Sequence, residues 1–143
     1  MLIEEALYQF LMTNLGVTNI VSQRIYPVTM PQATPNGASY PALVFGLERR
    51  ERRQSHNGPS NLVESGYTVS CLGSGYFETK TLADKVRLAL NGQAFGLASV
   101  FGKQVKGVFV DNENDDYVYD QTENLSLYHV PLALVIQHEE DLA

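Results

Sequence analysis

At 143 residues the chain has the length of one domain, enough for a single hydrophobic core but not two. Hydrophobic residues make up 44% and charged residues 18%, which excludes disorder, and no run approaches the roughly 18 consecutive apolar residues of a membrane span. The net charge of −6 excludes a general nucleic-acid binder, because neutralising phosphates takes a surplus of Lys and Arg. One cysteine, Cys71, excludes an internal disulfide framework and a multi-cysteine zinc site, and suits a reducing cytoplasm. The start, Met1-Leu2-Ile3-Glu4-Glu5, has acids where a secretory signal would carry Lys or Arg.

Ile3, Leu7, Phe10 and Leu11 recur at helical spacing, with Glu4, Glu5 and Gln9 elsewhere, so the first segment reads as an amphipathic helix ending near Asn14-Leu15-Gly16. Gly16 is the expected left-handed cap, and Val17 to Val21 reads as a short turn or helical fragment. Arg24-Ile25-Tyr26-Pro27 is a brief extended piece. Residues 31 to 41 hold three prolines and Asn36-Gly37, which makes a loop.

Ala42 to Arg52 alternates as a strand, with Leu43, Phe45 and Leu47 on one face, and its distal half is charged. His56 to Asn61 reads as a turn, and Leu62 to Leu72 alternates again with Val63, Tyr67, Val69 and Cys71 on one face. Together they predict a long projecting β-hairpin whose outer third is too polar for a core. Phe77 to Leu90 predicts a second helix ending at Asn91-Gly92, with Leu82, Val86 and Leu90 on its stripe. Gln104 to Val110 reads as a strand, Asp111 to Glu123 as an acidic loop, and Leu125 to Gln137 as a last strand. Pro131 opposes the core residues Tyr128, Val130, Leu132, Leu134 and Ile136, which predicts an edge or a local bulge there. The expected fold class is α+β: an antiparallel β-sheet with two α-helices packed on one face and a long projecting β-hairpin, one domain over 1–143.

Residues with chemical potential fall short of known sites. Gly73-Ser74-Gly75 opens like a dinucleotide fingerprint, but the third glycine position is Glu78 and no βαβ unit follows. The run Asp111 to Asp116 lacks the glycine and the twelfth-position glutamate of a calcium loop, having Asp116 and Thr122 there. His56, His129 and His138 show no metal-ligand spacing, and Cys71 lies on an apolar strand face with no histidine constrained beside it. The expectation is therefore no catalytic residue, no metal and no cofactor. Charge is segregated instead. Glu48 to Arg53 holds four of the ten basic residues, while Asp111 to Glu123 holds six acids and no base. Complementary patches of this kind let copies associate head to tail, and such contacts close into rings. Arg49, Arg50, Arg52, Arg53 and His56 in the hairpin, with Asp115, Asp116 and Asp120 in the acidic segment, are the candidate intersubunit or docking residues.

Arg24 to Pro27, the Pro31-Gln32 loop and Tyr40-Pro41-Ala42-Leu43-Val44-Phe45 resemble the N-terminal half of bacteriophage tail completion (tail terminator) proteins. Ser55 to Ser60 resembles their hairpin tip. Leu82 to Leu90, Tyr119-Asp120-Gln121-Thr122 and Leu127-Tyr128-His129-Val130 follow in the same order along the chain. Glu123-Asn124 departs from the tight Thr-Gly turn common in the family. The resemblance implies a non-enzymatic virion protein of a phage or prophage, assembled in the host bacterial cytoplasm. It implies a ring, commonly hexameric, that caps the tail tube and meets the head connector, with DNA passing through without specific binding. The alternatives are a head completion or connector subunit on the portal side, and a monomeric ligand-binding domain or small enzyme.

Overall fold

The computed structural model describes residues 3–28, 40–55, 58–91, 105–120 and 125–139. Helix α1 (Ile3–Thr13) buries Ile3, Ala6, Leu7 and Leu11, as the 3.6-residue spacing requires. The chain then breaks at Asn14, not at a glycine cap. The Asn14 side chain accepts a hydrogen bond from the Val17 N–H at 3.1 Å and starts a second helix, α2 (Leu15–Val21). Gly16 lies inside α2, so its expected role as a left-handed cap is corrected: an Asn side chain satisfies the free N–H groups instead. Of the two readings of this segment, a short turn or a helical fragment, the helical one holds, and α2 buries Val17 and Val21.

Strand β1 (Ile25–Pro27) runs parallel to β2 (Ala42–Ser55), and β2 turns back antiparallel into β3 (Gly58–Gly73). Helix α3 (Tyr76–Leu90) follows, then β4 (Val105–Glu113), β5 (Asp116–Asp120) and β6 (Leu125–Glu139). The sheet order is β1-β2-β3-β6-β4, and β5 continues the β4 edge by pairing with the start of β6. The expected α+β class holds: an open, mostly antiparallel sheet whose one face is packed by helices. Leu43 and Phe45 on β2, Tyr67, Val69 and Cys71 on β3, and Val130, Leu132, Leu134 and Ile136 on β6 meet Leu82, Val86 and Leu90 of α3 in one core.

Three boundaries differ from the sequence reading. Gly58 to Asn61, expected in a turn, lie in β3. The β6 strand accompanies β3 as far as Leu62–Glu139, so only the two outermost hairpin pairs extend beyond it. Of the acidic segment, expected as a loop, the described residues Asp111 to Glu113 and Asp116 to Asp120 are strand, interrupted at Asn114-Asp115. That interruption also accounts for Pro131. It sits in a central strand, paired with Ser70, and not at a sheet edge. Its carbonyl accepts from the Asn114 N–H at 3.3 Å. A residue's N–H and C=O point the same way in an antiparallel ladder, so the missing donor falls where β4 gives way to β5.

Candidate functional site

The hairpin's charges are sorted by one extra residue. Leu47 pairs with Tyr67 and Arg49 with Gly66, which leaves Glu48 as a bulge in β2. Beyond it the alternation reverses, and Arg50, opposite Ser65, takes the helix-covered face. Its Nε donates to Ser65 Oγ at 2.9 Å, and its Nη2 donates to Glu4 Oε1 at 2.7 Å and Tyr67 Oη at 2.8 Å. Ser65 Oγ continues the chain to His138 Nε2 at 2.8 Å. Because Arg50 donates to that hydroxyl, the arrangement that satisfies both groups has Ser65 donating to an unprotonated Nε2. Burial pushes the Glu4 carboxyl up, but its backbone hydrogen bond and the Arg50 guanidinium outweigh that and hold it below the ordinary value. Arg50 is thus a clamp between α1, β2 and β3.

Arg49 lies on the opposite face, where Glu51 and Glu64 stand directly across from each other. Like charges in that position repel. The Arg49 guanidinium bridges them, with Nη1 to Glu51 and Nη2 to Glu64 both at 3.1 Å. It crosses the surface of Gly66, where a Cβ would come within 3.2 Å of its Cγ. Arg52 is exposed farther out. Arg53 lies in β2 at the irregularity between Arg52 and Gln54, Asp120 ends β5 opposite Leu125, and His56 lies outside the described residues.

The acidic candidates gather at the other end of the sheet. Asp116 pairs with His129 in the ladder, and its Oδ2 is 3.9 Å from His129 Nδ1. Lys80 Nζ on α3 reaches Glu113 Oε2 at 3.1 Å and Asp115 Oδ1 at 3.0 Å, while Tyr76 Oη donates to Asp115 Oδ2 at 2.8 Å. The Tyr76 hydroxyl first, and the Lys80 ammonium second, hold the Asp115 carboxyl below its ordinary value. An aromatic cluster fills the same corner. Tyr128 packs on Tyr76 at 5.6 Å between ring centres and on Tyr117 at 5.0 Å, and Phe77 meets Tyr76 edge-on at 5.4 Å. Phe77 is 82% exposed and Tyr117 50%. The sequence reading missed this cluster, although Tyr76-Phe77 beside a glycine turn and Tyr117 among acids were visible signals.

Asp116–His129 and Val63–His138 mark the two ends along β6, nine residues and about 30 Å apart. The arginines and the acids therefore do not meet within one subunit. A groove of about 670 Å³ opens between α1 and β1, lined by Tyr8, Ile25, Val28, Phe45 and Leu47 with Glu4 and Glu5 at its rim. Its lining is mostly apolar and holds no nucleophile–base pair. Cys71 is buried, and burial pushes its thiol far up, so it stays protonated and unreactive. Among the described residues no group of three or more His, Cys, Asp or Glu is placed to hold a metal.

Among the described residues the fold is an α+β module, an open six-stranded sheet packed by three helices, with a charged hairpin at one end and an acidic, aromatic corner at the other. A family model described as tail completion protein gp17 matches residues 5–134. The chain belongs to that family, a structural family of phage tails and not an enzyme class. A solved structure described as "Virion of native gene transfer agent (GTA) particle" contains a chain of the same fold. The TM-score is 0.68 at 15% identity, covering 96% of this chain and 94% of that one. A search of curated proteins returns no match.

Proposed function

We propose that this protein forms a homo-oligomeric ring, six-membered by analogy with its family, that closes the phage tail tube and joins it to the head connector. The single observation that carries the reading is the placement of opposite charge at opposite ends of one sheet. The hairpin holds four arginines against three glutamates (48, 51 and 64), while Val105–Asp120 holds five acids against Lys106. Groups that cannot meet within a subunit can meet between subunits, and a head-to-tail contact of this kind repeats until it closes. The acidic balance suits a channel, since a negative wall repels phosphates and lets DNA slide. Assembly takes place in the host bacterial cytoplasm.

The test is reconstitution. Purified protein mixed with tail tubes that lack it is expected to pellet with them and to appear by electron microscopy as a ring at one tube end. Pelleting with filled capsids and not with tubes would move it to the portal side, as a head completion subunit. Pelleting with neither would overturn the reading. The interface candidates are tested by replacing Arg49, Arg52 and Arg53 with Ser while keeping Arg50, because Arg50 holds the fold together. Normal capping by that variant would remove the hairpin from the interface.

A further inference from the structure

Phe77, at 82% exposure, is the most exposed large apolar side chain among the described residues, and it does not stand alone. Tyr76 meets it edge-on, Tyr128 packs on Tyr76 and Tyr117 on Tyr128, and Asp115 accepts from the Tyr76 hydroxyl. Contiguous exposed aromatics rimmed by charge mark a contact surface, and aromatic side chains dominate the energetics of such surfaces. Tyrosine and phenylalanine faces edged with carboxylates suit a guanidinium, which stacks on the ring while its N–H groups reach the acids. The corner already holds one cation within the subunit, the Lys80 ammonium between Glu113 and Asp115.

We infer that the aromatic cluster is the seat for the outer hairpin, around Arg52 and Arg53, of a second copy of this chain. The inference rests on the ring reading above and adds to it the surface that receives the arm. Two observations select this occupant. The hairpin contains the chain's densest group of arginines, and its excess charge is opposite to that of β4 and β5. The separation of about 30 Å along β6 prevents a hairpin from reaching its own cluster, so the contact is between subunits. In this arrangement the aromatics supply affinity, and the acids set which end of the neighbour docks.

The buried, unreactive Cys71 makes a cysteine cross-linking test clean. One chain carries Glu51→Cys, an exposed position beside Arg52 that leaves every arginine in place. A second carries Ser74→Cys, exposed in the turn before Tyr76. A third carries Leu88→Cys, exposed on the same helix about 16 Å from Phe77. Glu51→Cys protein is mixed with each of the other two on tail tubes and treated with a short bis-maleimide. The expected result is a cross-linked dimer with Ser74→Cys at a yield several-fold above that with Leu88→Cys. Adding Phe77→Ala and Tyr117→Ala to the Ser74→Cys chain should remove the excess. Rings that form without the dimer, or equal yields at positions 74 and 88, overturn the seat while leaving the ring reading intact. Absence of any ring overturns both.

Discussion

One guanidinium, that of Arg50, serves a carboxylate, a phenol and a serine hydroxyl on two other elements. Replacing it with Ala strands all three, and partly buried groups that lose a charged donor cost about 2–3 kcal/mol. Arg50→Ala is therefore expected to lower the melting temperature by several degrees, whereas Arg49→Ala, which breaks only exposed pairs, should change stability by about 0.5 kcal/mol or less. Thermal denaturation of the two variants side by side checks this. The same clamp sets a pH dependence. Glu4 has a lower carboxyl value folded than unfolded, so its contribution is present above its ordinary value of 4.5 and is lost as pH falls through the lower, folded value. Denaturation midpoints should fall with acidification below about pH 4.5 in the native chain, and less steeply in Glu4→Gln. At this scale the sequence was half legible. Extending the core parity of Val130 to Ile136 by one more step places His138 inside, where it is, yet as an isolated histidine it gave no hint of Ser65. Strict alternation cannot show the Glu48 bulge, so the sequence alone leaves Arg50 indistinguishable from the other three hairpin arginines.

At the level of elements, two local contacts decide how the helices enter the fold. Asn14 ends one helix and caps the next, so Asn14→Ala should cost about 1 kcal/mol, the typical value of an N-cap. The turn from β3 into α3 is tighter still. A Cβ at Gly73 would collide with the Thr79 hydroxyl, which itself donates to the Gly75 carbonyl at 2.6 Å. Gly73→Ala is expected to destabilise by about 1–3 kcal/mol, with Thr79→Ala in the same chain restoring part of the loss in urea titrations. Here the sequence carried most of the answer: α1, α3, the hairpin and β6 follow directly from apolar spacing of three, four or two. It failed where strand depended on pairing. Asp111 to Asp120 has a loop's composition and becomes strand because β6 offers it a ladder.

For the whole molecule, the relevant quantity is the distribution of charge between its ends. If head-to-tail attraction between exposed groups drives closure, raising the salt from 0.1 to 1 M shrinks the Debye length from about 10 to about 3 Å and should shift material from rings to single subunits. Analytical ultracentrifugation of the tube-free protein, with and without salt, measures that shift. Ring populations that grow with salt would point to an apolar contact as the main driver. Neither the charge segregation nor its sign needed a structure to be seen. The distance between the charged ends did, because separation along β6 depends on which strands pair. The aromatic seat needed it too, since Tyr76, Tyr117 and Tyr128 come from three different elements.

The Glu48 bulge has one more consequence, for life before assembly. Among the described residues β1 covers only Leu43 to Phe45 of β2, so the rest of this 14-residue strand has no second neighbour strand among them. A long flat edge of that kind invites copies to stack through their backbones into disordered deposits. The bulge kinks the edge, with a second irregularity between Arg52 and Gln54, and the charges along it discourage approach. Deleting Glu48 would leave Arg49 opposite Gly66 and Arg50 opposite Ser65, so the clamp survives while the edge straightens. Such a variant is expected to melt normally yet scatter more light on storage.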